Sequence, residues 1–142
     1  MRFLGLDVGD RKIGVAVSDP LCITAQGVGV LKRGNPSDDA DEILGLIAEY
    51  EVGEVVVGNP GDLYGRKGTQ ADKVMEFVNL LRQKGVSVTL WDERFTTSAA
   101  ERLLIGANVR REKRRQVIDK LAAVLILQSY LDSRKRPDAG GS

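Results

Sequence analysis

Glu54-Val55-Val56-Val57-Gly58-Asn59-Pro60 decides the fold class. The run has no polar alternation, so a strand built from it buries both faces, as strands do in a parallel layer covered by helices. Asn59-Pro60-Gly61 ends it, because proline lacks an N–H for a ladder and Asn and Gly favour turns. Upstream, residues 38–50 repeat apolar side chains at helical spacing through Ile43, Leu44, Ile47 and Ala48. Asp38, Asp39 and Asp41 bring negative charge to the start of that helix, where its dipole favours it, and Asn35-Pro36-Ser37 breaks the chain before it.

Earlier still, residues 2–6 predict a strand and Gly9-Asp10 a turn. Ile13, Val15 and Val17 then alternate with Gly14, Ala16 and Ser18 in a second strand, which makes a hairpin, and a third strand is expected over 28–32. Downstream, a glycine-rich loop leads to a helix over 70–84 with Val74, Phe77, Val78 and Leu81 on one face, and a fifth strand follows over 86–91. Ser98-Ala99-Ala100-Glu101 has capping-box spacing and starts a short helix reaching 105. The basic segment 106–115 feeds a final helix over 116–133, and residues 134–142, with Pro137 and two glycines, read as a frayed tail. Right-handed crossovers make strands four and five parallel to strand one, giving an α/β fold with sheet order 3-2-1-4-5 and helices on both faces. No internal repeat or linker divides it, so residues 1–133 are expected to form one domain.

Composition narrows the chemistry. Histidine is absent; this removes Ser-His-Asp and Cys-His catalysis and the usual imidazole base or zinc ligand. With 20 Asp and Glu in the chain, oxygen ligands for a hard cation, Mg²⁺ or Mn²⁺, are the natural substitute. A lone Cys22 cannot form an internal disulfide, and the opening residues lack a signal peptide's apolar core, so a cytoplasmic protein is expected. The longest apolar run, 121–127, falls far short of the roughly 20 residues that span a bilayer, so no membrane partner is expected. The net charge of +1 conceals an asymmetry: residues 100–142 hold 10 basic and 5 acidic side chains. Arg110, Arg111, Lys113, Arg114 and Arg115 are the densest part, read either as a contact to phosphate backbones or as solvated surface charge.

In this topology the ends of strands one, four and five share one edge of the sheet. Asp7 ends the first, Gly58-Asn59-Pro60 the fourth and Asp92-Glu93 the fifth. Ligand sites of open α/β sheets lie at such carboxyl ends, where the strand order reverses. Asp119 adds a carboxylate from the last helix, heading a stripe with Ala122, Ala123, Ile126 and Tyr130. Taken singly, Asp7 is equally a turn-capping residue and Asp119 a first-turn residue favoured by the dipole. Together Asp7, Glu93 and Asp119, with Asp92 as a further candidate, would repel one another unless a divalent cation lay between them. Two such ions could activate water on one side of a phosphorus and stabilise the leaving oxygen on the other.

Arg66, Lys67 and Thr69 lie in the loop between the fourth strand and the next helix, read either as a phosphate cradle or as a plain glycine-rich connection. No Gly-Lys-Thr or Gly-Lys-Ser triplet makes it a P-loop. Arg94, beside the two acids, either grips a phosphate or forms a structural salt bridge. Trp91 and Phe95 are assigned to the core.

The segment from Leu4-Gly5-Leu6-Asp7-Val8-Gly9 to Val17-Ser18-Asp19, the Val57-Gly58-Asn59-Pro60 turn, Asp92-Glu93-Arg94-Phe95-Thr96-Thr97 and Asp119-Lys120-Leu121-Ala122-Ala123 together closely resemble the YqgF/RuvX family, over nearly the whole chain. The resemblance implies a ribonuclease H-like fold and a metal-dependent nuclease whose acidic positions fall on Asp7, Glu93 and Asp119. Family members are described as processing nucleases for the 5′ end of pre-16S ribosomal RNA and as Holliday-junction resolvases. The expected partner is therefore nucleic acid, an RNA precursor or branched DNA, met by a monomer or a homodimer. Where the family usually has Gly-Leu-Pro this chain has Gly58-Asn59-Pro60, making Asn59 either a polar contact to substrate or a turn former.

Two rival readings remain. The Asp7-x-Gly9 hairpin also resembles the first phosphate motif of actin-like ATPases, which need two such domains where 142 residues supply one. A non-catalytic nucleic-acid-binding module is opposed by acids at all three positions, since carboxylates beside phosphate without metal weaken binding.

Overall fold

The structure, a computed structural model, describes residues 1–59, 70–92 and 111–135, without the side chains of 70, 111–120 and 135. Three strands open the chain: β1 (Arg2–Val8), β2 (Lys12–Ser18) and β3 (Ala25–Lys32). Then come α1 (Pro36–Tyr50), β4 (Val52–Asn59), α2 (Gln70–Gln83), β5 (Val88–Asp92) and α3 (Arg111–Lys135). The strands form a five-stranded sheet in the order β3-β2-β1-β4-β5. β2 runs antiparallel to both β1 and β3, whereas β4 runs parallel to β1 and β5. The mixed α/β sheet and its strand order are those expected.

Each face of the sheet carries its own core. On one, Leu4, Leu6 and Val8 of β1 and Val55 and Val57 of β4 pack with Ile43 of α1 and with Val74, Phe77, Val78 and Leu81 of α2. On the other, Phe3, Ala16 and Val56 meet Ala123, Ile126, Leu127 and Leu131 of α3. The valine run at 55–57 feeds both cores, which is why it shows no polar alternation.

Element boundaries moved for identifiable reasons. α1 starts at Pro36 because Asn35 is its N-cap, its side chain accepting the Ser37 N–H at 2.8 Å, and proline suits the first helical position. β5 begins at Val88, not 86, because Gly85 (φ 90°) and Val86 belong to the end of α2, where the Val86 N–H closes on the Leu81 carbonyl at 3.0 Å. α3 begins at Arg111, so part of the stretch expected to precede the last helix is helical: Arg, Glu, Lys and Gln are strong helix formers, and charge density does not interrupt the backbone ladder. The same helix continues through Lys135, into the stretch read as a tail. The short helix expected over 98–105 lies outside the described residues. No helix among the described residues is long and apolar enough to cross a membrane.

Candidate active site at the carboxyl ends of the strands

Alternation along β1 places Asp7 on the face of Phe3 and Gly5, beneath α3. The helix can approach closely there because Gly5 has no side chain. A Cβ at Gly5 would lie 2.7 Å from the Leu127 Cβ and 3.2 Å from the Ala123 carbonyl oxygen. Farther down the strand, Phe3 meets the Tyr130 ring edge-on at 5.7 Å, and the Arg134 guanidinium lies 5.0 Å from the Phe3 centroid. α3 thus runs antiparallel to β1: Arg134 and Tyr130 sit over Phe3, and Leu127 and Ala123 over Gly5. One further turn of helix brings the backbone of position 119 towards the level of Asp7.

The positions beside Asp7 on the flanking strands are glycines. Its partner on β2 is Gly14. On β4, one step beyond the Leu6–Val57 pair, comes Gly58. Neither position contributes a side chain beside the half-buried Asp7 carboxylate. These two glycines flank β1, the strand at which the sheet switches from an antiparallel to a parallel neighbour.

β5 ends level with β4, Gly58 opposite Trp91 and Asn59 opposite Asp92. Trp91 lies on the α3 face, edge-on to Tyr130 at 5.6 Å with its indole N–H donating to the Ser129 hydroxyl at 3.1 Å, which bears out its assignment to the core. Asp92 therefore has the parity of Leu90, on the face of α1 and α2. Asp92 and Asn59 are both half-buried.

Other sequence-predicted positions are described in part or not at all. The backbone of α3 carries Asp119, Arg111, Lys113, Arg114 and Arg115, whose side chains are outside the description. Glu93, Arg94, Arg66, Lys67, Thr69 and Arg110 lie outside the described residues. Among the described residues no three acidic or cysteine side chains gather as a metal site.

One polar cluster near the site was not singled out by sequence. Arg33, just after β3, donates from Nε to Asp39 Oδ2 at 3.2 Å and from Nη1 to the Gly9 carbonyl at 2.9 Å. Asp39 is buried, and its Oδ1 accepts the Gly34 N–H at 3.0 Å. A signal exists: Asp39 leads Ile43 and Ile47 at four-residue spacing, as Asp119 leads Ala123.

A family model described as "RuvX: Holliday junction resolvase" matches residues 1–133. The chain belongs to the RuvX family. RuvX relatives include proteins named "Putative pre-16S rRNA nuclease" from Pelotomaculum thermopropionicum, 51% identical over 99% of this chain and 94% of the relative. Another carrying that name, from Thermoanaerobacter pseudethanolicus, is 52% identical over 95% of this chain and 99% of its own. Among solved structures, RuvC from T. thermophilus in complex with Holliday junction substrate superposes with a TM-score of 0.58 at 19% identity, covering 94% of this chain and 95% of that one. The fowlpox virus Holliday junction resolvase gives 0.56 at 14% identity, covering 94% and 99%. At those identities the likeness concerns the fold, and the RuvX chain shares the ribonuclease H-like sheet of these resolvases.

Proposed function

We propose that this RuvX-family chain is a divalent-metal-dependent nuclease whose site is formed by Asp7, Glu93 and Asp119, and that it processes the 5′ end of pre-16S ribosomal RNA in the cytoplasm. The observation that carries this reading is the setting of Asp7: a half-buried carboxylate at the β1–β4 junction, with glycine on both neighbouring strands and Ala123 and Leu127 of α3 packed closely on Gly5 of β1. That setting fits a hard cation, because the donors are oxygens and no side chain from Gly14 or Gly58 competes for the space. Two sequence relations support the other members. Glu93 follows directly after Asp92, the last residue of β5, and position 119 is one turn before Ala123. Asp92, with the parity of Leu90, falls away from the set. Metal bound by the three carboxylates would polarise the scissile phosphate and supply a nucleophilic water, chemistry that needs no histidine.

Arg111 and Arg115 precede Asp119 at four-residue intervals on α3, so this end of the helix joins an acidic position to a basic run. We read Arg110, Arg111, Lys113, Arg114 and Arg115 as contacts to the phosphate backbone, joined by Arg94, Asn59, Arg66, Lys67 and Thr69 nearer the scissile bond. We take the nuclease domain as residues 1–133, a span that the family match supports.

Resolution of branched DNA is the second reading, favoured by the family description and by the fold shared with RuvC. The chemistry is the same for both, so substrate choice must be measured. Purified protein is incubated with Mg²⁺ or Mn²⁺ and matched amounts of ribosomal precursor, single-stranded RNA and four-way DNA junction. Cleavage of the precursor with little on the junction is expected, and Asp7→Asn should lower it by at least about a hundredfold while leaving the circular dichroism spectrum unchanged. Symmetric paired cuts in the junction, made by a dimer, would select the second reading. Wild-type cleavage by Asp7→Asn would sink the metal site.

A further inference from the structure

We infer that Arg33, anchored by the buried Asp39, is a positioning residue for Asp7: it holds the turn between β1 and β2, and through that backbone fixes where the Asp7 carboxylate stands. The role rests on the metal-site reading of Asp7. Arg33 acts from the opposite face of the sheet, where its guanidinium lies 5.2 Å from the centroid of the Phe77 ring, so it does not itself touch the site under α3. Its fork is divided between two jobs: Nε meets Asp39, and Nη1 meets the Gly9 carbonyl, two residues beyond Asp7. The Arg33 N–H also donates to the Arg11 carbonyl at 2.8 Å, and the Gly9 N–H to the Lys12 carbonyl at 2.8 Å. Both ends of the turn are thereby tied to the start of the β3–α1 connection.

Burial separates this brace from an ordinary surface pair. The side chains of Arg33 and Asp39 are 15% and 4% exposed, whereas Lys73 and Asp10, which pair at the same turn at 3.2 Å, are each 58% exposed. Water screens the second pair, and long exposed side chains hold no backbone still. A guanidinium with two fixed donors, pressed on an aromatic ring and held by a carboxylate that also caps Gly34, has few alternative geometries. The turn is tight at Gly9, where even an added methyl would meet the Lys12 carbonyl at 3.0 Å, so its backbone depends on outside contacts such as that of Arg33 to stay in one place.

The test measures metal binding without substrate. Mn²⁺ affinity of the free protein is read by electron paramagnetic resonance, alongside amide hydrogen exchange at Gly9 and the thermal midpoint. Arg33→Ala should weaken Mn²⁺ binding by about 10–100-fold, the range seen when groups that orient metal ligands are removed, and should speed exchange at Gly9. Arg33→Lys keeps a charge for Asp39 but cannot reproduce the two-donor fork, so it should fold and show the same two defects. Should Arg33→Ala fail to fold, Arg33→Lys carries the test. If Arg33→Lys binds Mn²⁺ as the wild type does, with Gly9 equally protected, the pair is merely structural and the inference is overturned. A wild type that binds no Mn²⁺ brings down the metal site and this inference with it, which distinguishes the two failures.

Discussion

Gly5→Ala is the sharpest perturbation available, because it adds one methyl at the closest approach of strand and helix. The added carbon would sit 2.7 Å from the Leu127 Cβ and 3.2 Å from the Ala123 carbonyl oxygen. Carbon atoms prefer about 3.5–4.0 Å, so the pair must part by about 1 Å. No rotamer change relieves this, since a carbonyl oxygen and a Cβ move only with the backbone of α3. Overpacking of this kind costs about 1–3 kcal/mol. For a domain of this length each kcal/mol lowers the melting temperature by about 3 °C, so a fall of about 3–10 °C is expected by calorimetry. Gly45→Ala is the control: nothing lies within 4 Å of a Cβ there, in the middle of α1, and the substitution should stabilise by about 0.5–1 kcal/mol. A displacement of about 1 Å between Asp7 and α3 should also cut cleavage by up to about a hundredfold. If Gly5→Ala melts with the wild type while Gly45→Ala behaves as stated, α3 is not seated on β1 as described, and the argument placing position 119 near Asp7 collapses with it.

Further expectations concern charge. Replacing Arg110, Arg111, Arg114 and Arg115 with alanine should weaken nucleic-acid binding and flatten its log–log salt dependence by about 0.7 per lost contact on single strands and about 0.9 on duplex DNA; titrations at several salt concentrations read this, and an unchanged slope would count against the contacts. Asp19 should give a stability signal in acid. The Thr24 N–H at 2.9 Å, joined by the Ile23 N–H, holds its carboxyl below the ordinary 3.8 despite some opposing desolvation. A depressed folded value means the stabilisation is present above the unfolded value and lost as pH falls through the folded one. The gap in melting temperature between wild type and Asp19→Ala should therefore narrow as the solution is acidified below 3.8. A gap that holds constant through that range would refute the hydrogen-bonded carboxylate.

Much of the fold is legible because its determinants are local. Alternation in 13–18 and the unbroken valines at 55–57 report burial on one face or on both, and the parallel order follows from chain handedness. Boundaries are harder to read where a residue serves two elements. Pro36 looks like a breaker yet sits at the first position of α1, and Val86 has a strand former's side chain but gives its N–H to α2. The candidate site was legible as far as chemistry and strand ends go. Parity refined it: Asp92 and Glu93 are adjacent in sequence, and the observed register assigns the first to the face away from Asp7. Asp39 heads the Ile43 and Ile47 stripe, which signals burial but not a partner; Arg33 reaches it only after the chain has turned out of β3.

Gly5 links stability to function in a way that no single carboxylate does. Asp7 and Asp119 are far apart in sequence, and in the proposed site they meet only if α3 lies flat on β1. Phe3 against Tyr130 and Gly5 against Leu127 set that contact, with Trp91 steadying the helix from β5 through Tyr130 and Ser129. The carboxylates oppose it, because like charges brought together raise the free energy of the docked state. In the proposed site, a cation shared between strand and helix would remove that repulsion and so favour docking. Linkage makes the relation reciprocal: whatever seats α3 raises metal affinity, and bound metal seats α3 by the same factor. In the proposed site, Gly5 and the backbone of α3 at Ala123 therefore serve the metal chemistry, although neither offers an atom to the ion.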